Sequence, residues 1–180
     1  MLGAASFILL AEVFVAPAGM APLETAVQAC TSWIAEPASW SGSVEDFEET
    51  TGLDKSGLKS IAGIPSFALP PPQARRNMHH FHVGDVAEGY FVTASDTVPV
   101  CHIVGGGDSD LFGSVQRFLQ EDGYSRLWSR QSEKARGDIK TRTFEFEADE
   151  KIQLHLSHAA EAGGRTDRPQ IFATIVYQLD

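Results

Sequence analysis

Hydrophobic positions change their period along the chain, and the change divides it into a helical part and a strand part. Leu23, Val27, Cys30 and Ile34 recur every three or four residues, which makes one face of a helix apolar and turns Cys30 toward the core. Pro22 and Glu24 suit the first turn of that helix, and Pro37 ends it. Ser43 to Asp46 resembles a capping box, so a second short helix is expected from there to Gly52. Leu58, Ile61 and Ile64 suggest a further helical turn or a packed loop. The segment 65–72 (PSFALPPP) reads as an extended, polyproline-like connector inside the fold.

From Asn77 onward the period becomes that of strands. Phe81 and Val83 alternate with His80 and His82, and the segments 89–95 and 98–104 are rich in β-formers around a turn at Asp96-Thr97. Gly105 to Gly107 stops the second of these. A helix capped by Asp108 or Ser109 should follow, with Leu111, Val115 and Phe118 on one face and Gly123 at its end. Residues 124–130 fit another strand. Phe144 and Phe146 face Leu154 and Ile152 in a hairpin whose loop is Ala148 to Glu150. The last strand, 170–178, is apolar on both faces and is therefore expected in the middle of the sheet. The fold class is α+β: a mostly antiparallel sheet of about six or seven strands with two or three helices packed against it.

Residues 1–21 form a separate unit. Met1 to Ala18 is almost wholly apolar, and Ala16-Pro17-Ala18 fits a small-residue cleavage site, so 1–21 is expected to be a signal peptide ahead of a single domain over 22–180. Glu12 and Pro17 argue against a transmembrane helix, and no other stretch is long enough to span a membrane in the mature chain. Export brings Cys30 and Cys101, the two cysteines, into an oxidising compartment, where a disulfide would staple the first helix to the third strand. The expected location is periplasmic or secreted, in a bacterium.

Charge narrows the partners. The formal net charge is −10 and no Lys/Arg stripe is present, which excludes nucleic acid as a natural partner and leaves an unidentified protein or small ligand. No GxSxG, CxxC or HExxH motif occurs, and Gly105-Gly106-Gly107-Asp108 matches no phosphate loop. Trp33, Trp40, Trp128, Tyr90 and Tyr124 fit core positions better than a ligand pocket.

Histidine is the one residue type with candidate chemistry. Three occur in His79-His80-Phe81-His82, and on a strand His80 and His82 share a face, so both imidazoles could bind one divalent transition metal. His102 and His155, on other strands, would complete such a site if those strands are neighbours, and His158 is a further candidate. The leading reading is a non-enzymatic binding or interaction module acting through a sheet face or edge. The alternative is a metal-binding protein or metal-dependent enzyme using the His79–His82 cluster.

Overall fold

Helix α1 (Pro22–Ala35) begins where its sequence provides a cap: the Ala21 backbone N–H donates to Glu24 Oε2 at 3.3 Å. The computed structural model describes residues 21–35, 58–70, 72, 78–84, 89–95, 98–106, 110–120, 122–163 and 169–178. Residues 1–20 of the leader expected over 1–21, the expected helix from Ser43, and Trp40 lie outside them. After α1 come β1 (Lys59–Ser60), a 3-10 turn (Ser66–Ala68), β2 (Met78–Val83), β3 (Tyr90–Ser95) and β4 (Val100–Gly106). Helices α2 (Phe112–Gln120) and α3 (Asp122–Leu127) lead into β5 (Trp128–Arg136), β6 (Ile139–Phe146), β7 (Asp149–Ala159) and β8 (Pro169–Tyr177).

The strands form one sheet in the order β1-β2-β3-β4-β8-β7-β6-β5, with every pair antiparallel. Each half is a helical segment followed by four strands, and the halves meet where β4 pairs with β8. Among the described residues the sheet has eight strands, more than the six or seven expected; the additional strand is β1, two residues in a stretch whose spacing suggests a helical turn or packed loop. β8 is central, as its two apolar faces require.

The buried side chains gather on the sheet face that carries α1. Phe81, Val92, Ile103, Ala173, Ile175 and Leu154 meet Leu23, Ala26, Val27 and Trp33 there. Trp33 Nε1–H donates to the Ser95 carbonyl at 3.4 Å. Cys30 and Cys101 are bonded, with Cα atoms 5.5 Å apart, and both are fully buried between α1 and β4. At Gly105 a side chain has no room: a Cβ would lie 2.6 Å from the Tyr90 ring and 2.8 Å from Leu111.

Two local expectations are corrected. Residues 124–127 belong to α3, and the strand starts at Trp128. The helical path brings Tyr124 against Phe118 (4.1 Å between ring centroids) and Phe144 (5.4 Å), so aromatic packing overrides the β-propensity of the segment. In the β6–β7 hairpin Phe144 does face Leu154. A bulge between Glu145 and Phe146 instead pairs Phe146 with Asp149. Phe146 keeps an apolar contact all the same, 5.2 Å from Trp128.

Candidate functional site

The face opposite the helices is organised in rows, because residues directly across an antiparallel ladder share a face. One row runs His80, Thr93, His102, Thr174, His155, Thr143, and reaches Ser132 on β5 past a bulge. Histidine and threonine alternate over six strands, and each histidine is hydrogen-bonded through Nδ1 to a neighbouring Oγ1. The pairs are His80–Thr93 at 3.4 Å, His102–Thr174 at 2.8 Å and His155–Thr143 at 3.3 Å. Three of the five histidines singled out from the sequence therefore lie in one line. His82 lies in the adjacent row, about 7 Å away along the strands, and packs edge-on against Phe91 at 5.3 Å.

That second row runs Lys59, His82, Phe91, Val104, Phe172, Ser157, Thr141, Lys134. Its centre is apolar and its ends are cationic. Neither row contains a carboxylate, although the chain has 24 acidic residues. Acidic groups are thus placed elsewhere, and these two rows offer hydroxyls, imidazoles and aromatic carbons.

The proline connector crosses this face. Phe67 stands edge-on to Phe91 at 6.0 Å, the 3-10 turn lies against β4, and Ala68 is buried while Phe67 and Leu69 remain exposed. Burial holds the histidine row neutral. His102, only 7% exposed, is pushed down to about 4 by desolvation. Burial also lowers His80, helped by the neighbouring charge of His79, and lowers His155.

Neutral imidazoles suit a metal, but the spacing separates them. His80, His102 and His155 stand two strands apart in turn, about 10 Å between Cα atoms, with a threonine between each pair. Among the described residues no three His, Cys, Asp or Glu side chains converge on a point where an ion could sit. His158 faces the other side of the sheet. Its Nδ1–H donates to the Ala159 carbonyl at 2.6 Å, and its Nε2 is buried without a hydrogen-bond partner among the described residues.

Ser157 and Phe172 of the second row also line a groove of about 850 Å³, together with Asp138, Ile139, His158 and Glu161, among others. Its wall is tethered by Asp110, which also caps α2. Oδ1 accepts the Phe112 N–H at 3.0 Å and Oδ2 accepts the Gly163 N–H at 2.7 Å, and these bonds lower the Asp110 carboxyl below its ordinary range. The expected caps, Asp108 and Ser109, lie outside the described residues. Phe172 was not singled out from the sequence, yet it is 38% exposed beside the groove and 6.2 Å from the His102 ring. The available signal was a phenylalanine in a strand with apolar residues on both faces, which reads as core.

Trp33, Tyr90, Tyr124 and Trp128 are all buried, as core residues should be. Comparison with protein-family models, with characterised proteins and with solved structures finds no match for this chain.

Proposed function

We propose that the protein is a non-enzymatic binding module, periplasmic or secreted in a bacterium, that takes its ligand on the sheet face opposite the helices. The observation that carries this reading is the pair of carboxylate-free rows, His80 to Ser132 and Lys59 to Lys134, spanning the sheet of an acidic protein. A face is favoured over an edge, because both edges resist pairing with another chain. β1 has two residues, and β5 is bulged and carries Arg130, Glu133, Lys134 and Arg136. The Cys30–Cys101 disulfide supports an oxidising compartment. No helix among the described residues is long and apolar enough to cross a membrane.

The test is a fragment library screened by amide NMR on labelled protein. Signals of Thr174, His155, Ser157 and Phe172 should move together with saturable ligands. Hits confined to the helix side, or turnover of any substrate abolished by changing a single polar residue, would overturn the reading. The second reading, a metal face, rests on His80 and His82 sharing one side of β2. Calorimetry with zinc or copper would show uptake of one equivalent that disappears in the His80→Ala/His82→Ala variant.

A further inference from the structure

The groove at the ends of β6, β7 and β8 includes Ser157 and Phe172 of the second outer-face row, and its chemistry is specific. Phe172 presents a partly exposed aromatic ring, backed at 6.2 Å by the His102 imidazole, which Thr174 holds in turn. A flat ring of this kind is a platform for an equally flat apolar surface. Around it stand uncharged hydrogen-bonding groups: Ser157, hydrogen-bonded to Thr141 at 2.8 Å, then Thr174 and His155 in the next row. Asp138 and Glu161 bring carboxylates to the lining, and no lysine or arginine among the described residues lines the groove.

These features select among ligands. Among the described lining residues a phosphate or carboxylate would meet two acids and no cation, on a chain of net charge −10. An organic cation would fit the acids and the ring, but it would make no use of rows that contain hydroxyls and imidazoles and no carboxylate. A purely apolar chain would strip water from those hydroxyls without replacing its hydrogen bonds. A neutral sugar uses every group present. Its C–H face lies on an aromatic ring, its paired hydroxyls donate to carboxylates and accept from Ser or Thr hydroxyls, and it carries no charge.

We propose that this groove, with the adjoining row, binds a neutral oligosaccharide that stacks on Phe172 beside Ser157 and runs along β7 and β8 toward Thr174 and His155. The volume of about 850 Å³ is in the range of small-molecule sites. The proposal rests on the outer-face binding reading and names its ligand class.

The experiment titrates the full chain with cellotetraose, chitotetraose and maltotetraose, with tetragalacturonate and choline as charged probes, followed by amide NMR. At least one neutral tetrasaccharide should give saturable shifts at Phe172, Ser157 and Glu161. Phe172→Ala should weaken it about tenfold or more, while Val98→Ala, an exposed position away from the groove, should not. Ser157→Ala, which leaves the aromatic platform intact, should weaken it by a smaller factor and guards against a misfolded Phe172 variant. Preferential binding of tetragalacturonate or choline at the same residues would overturn the sugar assignment and leave the binding face standing. No saturable change with any probe would overturn the sugar assignment, and the fragment library failing on this face as well would remove both readings.

Discussion

His102 on β4 and Thr174 on β8 are joined by a 2.8 Å hydrogen bond across the pairing where the two halves of the sheet meet. The bond ties residues 72 positions apart in the chain, and it orients the imidazole that backs Phe172. Its partners in the row, Thr93 and Thr174, carry no charge, so burial alone decides the protonation state of His102.

Stability should therefore fall in mild acid. The folded-state pKa of His102 is about 4 and its ordinary value is 6.5, so in that window the unfolded chain binds the extra proton. The contribution is fully present above about pH 6.5 and is lost as pH falls to about 4, where it levels off; its upper bound is about 3 kcal/mol. The lowered values of His80, His155 and His158 act in the same direction. Urea midpoints measured between about pH 7 and pH 4 should show this loss, and His102→Gln should reduce it. A midpoint independent of pH would contradict the burial of His102.

The disulfide closes a sequence separation of 71 residues. Chain entropy then assigns it about 4 kcal/mol, so the Cys30→Ser/Cys101→Ser variant should unfold at a clearly lower guanidinium concentration. Because both sulfurs belong to fully buried residues, reduction of the native protein by a mild thiol should proceed no faster than the protein opens. Rapid reduction under native conditions would place the bond nearer the surface than described.

Gly105→Ala tests packing at the β3–β4 pairing. The added methyl would need the Tyr90 ring and Leu111 to shift, at a cost of about 1–3 kcal/mol. The loss should show in thermal melts. A companion Gly113→Ala, where a Cβ meets nothing within 4 Å, should not be destabilising.

Asp110→Ala removes the cap of α2 and the tether to Gly163 at once. It should cost about 1 kcal/mol of stability. The larger effect should be on hydrogen exchange, with the Gly163 amide, now bonded to Oδ2 at 2.7 Å, losing its protection. Unchanged exchange at Gly163 would sever the link between α2 and the groove wall.

How much of this was legible depended on whether the cause was local. Leu23, Val27, Cys30 and Ile34 announce α1 through their own spacing, and the pairing of Cys30 with Cys101 follows from there being two cysteines in a chain whose sequence reads as exported. Phe144 opposite Leu154 was readable from alternation on two adjoining strands. Phe146 was not, because a bulge adds one residue without a sequence mark that separates it from a plain turn. The same limit governs the site. His80, His102 and His155 drew attention as residue types, but Thr93, Thr174 and Thr143 come between them only through the order of strands, which no local period encodes. Phe172 illustrates the opposite error: an apolar residue on both-sided apolar β8 suggests core, whereas here one of the two faces is partly open.

The position of β8 also sets an order of events. β4 pairs with a strand that is made only after β5, β6 and β7, so the first four strands emerge with one long edge unsatisfied. Closure across that gap brings together residues some seventy positions apart, which makes for slow folding and prolongs exposure of an apolar edge to other chains. A chain built in this way stays threadable until its eighth strand arrives, and passage through a narrow pore before that moment would find no finished sheet to undo.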